Sequence, residues 1–428
     1  MSEIAEVLES IKYKEVFFHF EEDIVDWTDD DKPVNLVMKF DGKKTTISLC
    51  NLYDIENLAA SFYYYANKSK LISWNVKNFF SFFKKKSSID IDTNIIYDLY
   101  VIFSYFSLPI NKPSSLKEAT SVISKIQKTE LWSKFEKYYE NVYWPLISKV
   151  IPDIETNGLV DVANRKIVYS YYEIEGQING RLKTLKCLKD CFLPHSMGEA
   201  NKKNIRLQND DQVFIYLDYK HMEVSILEWI TKDPNLSKIV NSQDDLYESI
   251  WLMLTGQAAN PNQRQICKNI FLPILFGQKS QSLSERIGID EKNAKKLIYK
   301  LRQSFPVAFS WIDSQDADSN NISVDIFGRR RKFANQDLYK IKNFCIQSPS
   351  NMVCLRKLVK LHESIKNDAK ICMHIHDGYV LSCHKSKMKE ITKIAKQSLE
   401  QEEDMFPGLK LKVACKYGEN LNNLEEIK

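Results

Sequence analysis

The sequence predicts a mixed α/β fold, and three observations carry that expectation. Short β-branched and aromatic runs at 16–20 and 34–40 are bounded by turn residues, as strands require. Longer stretches, such as 115–150, repeat apolar residues at helical spacing. Two nearly continuous apolar runs, 213–217 and 371–382, carry a carboxylate at an end or a turn.

The elements follow in order. Residues 16–20, 34–40 and 45–49 read as strands, with Asp41-Gly42 as a hairpin turn. Residues 55–67 and 95–106 read as helices, and Ile110-Asn111-Lys112-Pro113 as a boundary. Within 115–150, Trp132, Phe135 and Tyr139 fall at helical spacing and are expected in the core. Asn157-Gly158 marks a turn. Residues 213–217 read as a buried strand delivering Asp218 to its tip, with a helix opening near Met222. Residues 371–382 read as a hairpin with His376-Asp377 at the turn.

Composition removes several classes. A chain of 428 residues with 44% hydrophobic and 27% charged residues has the profile of a globular protein with a sizeable core. Its apolar runs are too short to span a bilayer, and its acidic start lacks a signal-peptide stretch. Nine cysteines without paired spacing are expected to be reduced thiols, so a cytoplasmic setting is expected, with no membrane partner. Charge is uneven: 1–60 hold 14 acids and 6 bases, whereas 261–303 hold 9 bases and 3 acids. The basic region can meet phosphates or be a solvated helix face. Only 10 of the 60 basic residues are Arg, and none precedes residue 165. Because Lys cannot reproduce a planar bidentate contact, each Arg marks a position to inspect.

Three pieces carry chemistry. Asp218 and Asp377 are acids at the ends of apolar strands, where an unpaired charge is costly. A shared metal would relieve that cost, and the pair suits two-metal phosphoryl transfer. Arg264, Lys268, Leu272 and Phe276 recur every four residues, so they form one helical stripe from cationic to apolar. A nucleoside triphosphate has that polarity; an amphipathic core helix with basic ends has it too. Cys372, His374, His376, Cys383 and His384 cluster in sequence, but their apolar neighbours favour hairpin packing over zinc.

In this order the pieces resemble the family A (DNA polymerase I-like) DNA polymerases. Asp218-Tyr-Lys-His-Met-Glu223 is similar to that family's Asp-Tyr-Ser-Gln-Ile-Glu motif, and His376-Asp377 to its second metal motif. Residues 264–277 resemble its nucleotide-binding fingers helix. Gly180-Arg181-Leu182, Asp233-Pro-Asn-Leu236, Asp245-Leu-Tyr247, Phe327-Gly-Arg-Arg-Arg331 and Asn343-x3-Gln347 also match in order. The resemblance implies an α/β protein with a right-hand polymerase palm (an antiparallel sheet) and helical fingers, preceded by an RNase H-like exonuclease-type domain. It implies a degenerate 3′–5′ exonuclease-like domain at 1–112, a helical connector or remnant thumb at 113–165, and palm with fingers at 166–428, the fingers about 236–322.

The same resemblance assigns roles. Asp218 and Asp377 would bind two Mg2+ ions. Arg264 and Lys268 would hold the triphosphate of a dNTP, with Lys268 the proton donor to pyrophosphate, and Leu272 and Phe276 would meet sugar and base. Glu223 would exclude a ribose 2′-OH. Arg181, Asn343, Gln347 and His376 would contact primer–template DNA; amide and guanidinium donors suit the acceptors every base pair offers in the minor groove.

The departures are informative. The acid that usually follows the second metal Asp is Gly378 here. Leu272 and Phe276 replace family aromatics, and Pro273, which removes a helical hydrogen bond, is expected to kink the helix. Near the N-terminus, His19 and Asn78 stand where the family's exonuclease has carboxylates, so proofreading is expected to be lost. Too few residues separate Gly158 from Arg181 for a full thumb. Low intrinsic processivity and a protein processivity partner are therefore expected. A single-subunit RNA polymerase shares the palm, but Glu223 argues against it; a silent DNA-binding replisome subunit would not need the metal acids. The excess of Lys over Arg suits an AT-rich genome, and a phage, plasmid or organelle element is therefore expected.

Overall fold

The structure is a computed structural model. It describes residues 3–11, 14–21, 34–49, 54–56, 58–59, 62, 68–88, 91, 93–108, 112–164, 166–168, 170, 172–173, 181–184 and 202–427. The chain forms two compact units. One comprises Met1–Asp218, Cys354–Leu399 and Val413–Lys428; the other comprises Tyr219–Val353 and Glu400–Lys412.

The first unit begins with α1 (Glu3–Ile11), β1 (Glu15–Phe20), β2 (Val34–Phe40) and β3 (Lys43–Leu49). The turn between β2 and β3 holds Asp41 and Gly42, both at positive φ, which matches the twist of a hairpin. Then come β4 (Lys70–Ser73), α2 (Val76–Ser87), β5 (Tyr97–Asp98) and α3 (Leu99–Tyr105). The sheet order is β3-β2-β1-β4-β5, antiparallel on the β2 side of β1 and parallel on the β4 side. The helix expected over 95–106 is shorter, because residues 97 and 98 pair with β4 instead. Most of the helix expected over 55–67 lies outside the described residues.

Asp98 explains that shortening. Its carboxylate accepts the backbone N–H groups of Asn75, Val76 and Tyr100, at 2.9, 2.8 and 2.9 Å, so one side chain caps both α2 and α3. Burial pushes its carboxyl up to about 6 despite those bonds. The folded chain therefore holds a proton that the unfolded chain releases near pH 4, and stability falls as pH rises from about 4 to 6. Asp98→Asn should remove this slope, a difference of roughly 2–3 kcal/mol across the window. Parallel stability–pH curves for wild type and variant would contradict it.

The helical stretch expected over 115–150 is interrupted. It consists of α4 (Leu116–Ile126), a break, and α5 (Trp132–Tyr138) continued through two π-helical turns into α6 (Ile151–Thr156). Trp132, Phe135 and Tyr139 are buried, as their spacing predicts. Lys77 on α2 and Glu155 on α6 form a buried ion pair at 3.0 Å. Glu155 also accepts the N–H of Tyr172 at 2.8 Å, and the Tyr172 hydroxyl bonds the backbone of His374.

A three-stranded sheet joins β6 (Leu159–Asp161), β7 (Lys166–Val168) and β8 (Ile205–Arg206). The sheet that matters most holds β9 (Gln212–Tyr219), β10 (Ala369–Ile375), β11 (Gly378–His384), β12 (Val413–Gly418) and β13 (Glu425–Glu426), in the order β10-β11-β9-β12-β13. β9 pairs antiparallel with β11, and β11 with β10. A bulge between Ile371 and Met373 shifts the β10 register, a device common next to active sites.

The second unit is mainly helical. It carries α7 (Met222–Thr231), α8 (Pro234–Val240), α9 (Leu246–Thr255), α10 (Pro261–Leu275), α11 (Ser280–Ile287), α12 (Glu291–Ser304) and α13 (Pro306–Asp313). Leu236, Ile250, Ile270, Phe271, Ile274, Leu301 and Phe309 share its core. Burial of each such side chain contributes about 1.5–3 kcal/mol. Asp233 ties the unit together: it caps α8 through Asn235 and Leu236, and its second oxygen accepts from Val307 and Ala308 of α13. A long helix, α14 (Ile341–Ile365), starts in this unit. Among the described residues no helix is long and apolar enough to cross a membrane.

Candidate active site

In the first unit, alternation along β9 builds the site. Val213, Ile215 and Leu217 point into the core, while Tyr216 and Asp218 share the other, half-buried face. Strand pairing sets Asp218 opposite Gly378, the residue after Asp377. Asp377 itself sits in the two-residue turn between β10 and β11, beside His376 at φ 55°. That left-handed backbone costs a non-glycine residue about 1 kcal/mol, so packing must hold it. Two acids far apart in sequence are thereby brought to one end of one strand pair.

Neighbouring groups register both charges. Burial raises the Tyr216 phenol, and Asp218 and Asp377 raise it further. The Cys354 thiol is pushed up by burial first, then by Asp377, with Asp218 a smaller contribution and Arg181 opposing. His376 is pushed down by burial and by the Arg181 charge, against the pull of Asp377. Asp218, Asp377, Arg181 and His376 therefore form one neighbourhood. Gly180, the first residue of the expected Gly-Arg-Leu motif, lies outside the described residues.

These residues fit Mg2+. The ion takes hard oxygen donors and commonly needs only one or two carboxylates, the rest coming from water and substrate phosphates. Among the described residues no group of three or more His, Cys, Asp or Glu gathers to cage a metal. Of the Cys and His cluster, Cys372 is part of an apolar core and the buried His374 ring packs at a tilt against Tyr379, 5.4 Å between centroids.

The cationic stripe lies on α10 in the second unit. Asn260 caps this helix, with Gln263 returning a bond to the Asn260 N–H. Arg264, one turn in, forms a 2.6 Å ion pair with Asp245 and lies over the Tyr247 ring. Burial alone would raise the Asp245 carboxyl, but Arg264 and the first amides of α9 outweigh it and hold it below its usual range. The acid that orients Arg264 was visible in sequence only as part of a motif. Lys268 follows on the same stripe and is exposed. Leu272 and Phe276 are half-buried against the helical core, so only part of each is open to a ligand. Helical geometry continues through Pro273 to Leu275.

Glu223 lies in the first turn of α7, after His221 at φ 57°. His221 packs edge-on to Tyr247, 5.0 Å between centroids. Burial drives its ring down to about 4, with Arg264 and Lys268 adding to the effect against Asp245, so it is neutral at pH 7. A cleft of about 580 Å3 in this unit is lined by His221, Asp245, Lys220, Lys410 and Lys412. Asn343 and Gln347 lie one turn apart on α14, both half-buried. Thus Asp218, Asp377, Arg181 and His376 belong to one unit. Arg264, Lys268, Leu272, Phe276, Glu223, Asn343 and Gln347 belong to the other.

The chain resembles known proteins at two levels. DNA polymerase I of Streptococcus pneumoniae is 25% identical over 211 residues, covering 45% of this chain, and thermostable DNA polymerase I of Thermus aquaticus is 23% identical over 205 residues, covering 44%. The chain spans about a quarter of the length of each, 24%. A DNA polymerase of Bacillus phage SP01 is 24% identical over 332 residues, covering 70% of this chain and 34% of its own. The structure of the polymerase domain of Pol1 from M. smegmatis, in complex with DNA primer-template and dNTP, superposes with a TM-score of 0.74 at 11% identity, covering 98% of both chains. That likeness shows the fold, an α/β arrangement with an antiparallel sheet and many helices. The DNA polymerase family A profile matches residues 112–423, nearly three-quarters of the sequence, and the chain therefore belongs to DNA polymerase family A.

Proposed function

We propose that this chain is a DNA-directed DNA polymerase that joins dNTPs to the 3′-hydroxyl of a primer on a DNA template. One observation carries the reading: Asp218 and Asp377 are delivered to one end of a strand pair by alternation and register. Two Mg2+ ions, held by these carboxylates, would supply charge neutralisation and a more acidic primer hydroxyl. Arg264, oriented by Asp245, would hold the triphosphate, and Lys268 would hold it and give a proton to departing pyrophosphate. Arg181, His376, Asn343 and Gln347 would hold the primer–template. Catalysis then rests on positioning and electrostatics rather than covalent chemistry.

We assign residues 1–112 to a degenerate exonuclease-like domain, 113–165 to a connector with remnant thumb, and 166–428 to palm and fingers, the fingers about 236–322. The mixed order β3-β2-β1-β4-β5 supports an RNase H-like first domain. The buried His19 ring, its Nδ1 2.6 Å from the Phe20 carbonyl oxygen, supports the loss of proofreading there. The reduced thumb leads to low processivity without a protein partner. The phage relative supports a phage setting in a bacterial cytoplasm.

Primer extension with Mg2+ tests the whole reading. Purified protein should extend a primer–template by a few nucleotides per encounter when excess trap DNA is present, and should leave the primer intact without dNTPs. No extension would refute the reading; long products under trap would refute only low processivity, and primer shortening sensitive to Glu21→Ala only lost proofreading. Sugar selection has its own check. Glu223→Ala should raise ribonucleotide incorporation relative to deoxynucleotide by at least about tenfold. An unchanged ratio would remove Glu223 from that role, and free use of ribonucleotides by wild type would favour an RNA polymerase.

A further inference from the structure

We propose that Tyr216 is a positioning residue for Asp218, and that Gly378 is glycine to make room for it; this rests on the polymerase reading above. The Tyr216 hydroxyl lies 3.4 Å from Asp218 Oδ1. A Cβ added at residue 378 would stand 2.8 Å from the Tyr216 hydroxyl oxygen, 3.0 Å from its Cε2 and 3.1 Å from Asp218 Oδ1. No real side chain fits at such distances without displacing the ring or the carboxylate. The backbone does not require glycine here, since Gly378 is not at positive φ. The Tyr216 ring first, and Asp218 Oδ1 next, are therefore what a side chain at 378 would meet.

The missing acid and the tyrosine are two sides of one exchange. Where a carboxylate after Asp377 would add negative charge, this chain places a phenol. A phenol donates one hydrogen bond, and Asp218 Oδ1 is the carboxylate oxygen it faces. Hydrogen bonds to ligating carboxylates fix their orientation and tune metal affinity. At 3.4 Å the contact is longer than the usual 2.5–3.0 Å, so a modest effect is expected.

Direct Mn2+ binding to the full-length protein, followed by electron paramagnetic resonance, reads the effect without turnover. Asp218→Ala defines loss of the site. Tyr216→Phe, which keeps the ring, should weaken Mn2+ binding about three- to tenfold. It should raise the Mg2+ requirement of primer extension equally, with KM for dNTP unchanged. Gly378→Ala should weaken Mn2+ binding in the wild-type background, yet add less on top of Tyr216→Ala, because the two tightest contacts are then gone and only the one with Asp218 Oδ1 remains. Circular dichroism melts confirm that each variant folds; if Gly378→Ala does not, Tyr216→Phe decides alone. Mn2+ affinity unchanged in Tyr216→Phe overturns the proposal, as does a Gly378→Ala effect that adds in full to Tyr216→Ala. If Asp218→Ala binds Mn2+ as wild type does, or wild type extends no primer, the polymerase reading itself fails.

Discussion

Asp377→Ala is expected to lower the rate of primer extension by at least about 10³-fold, roughly 4 kcal/mol of barrier. The turn between β10 and β11 presents this carboxylate at the same end of the sheet as Asp218. With Gly378 following it, the next position in sequence offers no acid to take over its charge. The variant should fold about as well as wild type, because Asp377 lies in a two-residue turn outside the strand ladder. A melting temperature close to that of wild type, together with extension at the limit of detection, is the expected pair of results. Extension within tenfold of wild type would remove Asp377 from the reaction.

The largest expected effect on stability comes from Glu155. Glu155→Ala leaves the Lys77 ammonium buried without its counter-charge and removes the acceptor of the Tyr172 N–H. Breaking a buried pair by removing one partner costs about 3–5 kcal/mol. Replacing both partners by apolar residues of similar volume, as in Lys77→Met with Glu155→Leu, should recover most of that loss, since neither charge then needs solvation. Urea unfolding of the three proteins checks the ordering. A single substitution costing under about 1 kcal/mol would show that water reaches the pair.

Features set by local pattern were legible in the sequence. Buried strands need apolar runs, so β9, β10 and β11 announced themselves, and the acids at their ends stood out. The Asp41-Gly42 hairpin and the α10 stripe are equally local. Features set by contact between distant segments were not legible. Asp98 caps two helices, Glu155 meets Lys77, and the Tyr216 ring faces Gly378 across a strand pair; none leaves a periodic trace. Arginine scarcity was a partial guide. It led to Arg181 and Arg264, but a planar guanidinium also suits structural anchoring. Arg329 is buried and joined through its backbone N–H to Asp325, Arg302 pairs with Asp313, and Arg356 holds the carbonyl of Asn141.

The bond series from Lys77 through Glu155 and Tyr172 to the backbone of His374 has one more consequence. It runs from the first hundred residues to β10, the strand that leads into the turn holding Asp377. On the proposed reading, in which this segment does not cut nucleic acid, it can thus still serve as masonry beneath the proposed site. Loss of its acids would release it from selection for cleavage, while its aromatic core and its buried lysine would stay under selection as a footing. Economy of genome would then erode the active groups of such a segment long before it could delete the segment itself.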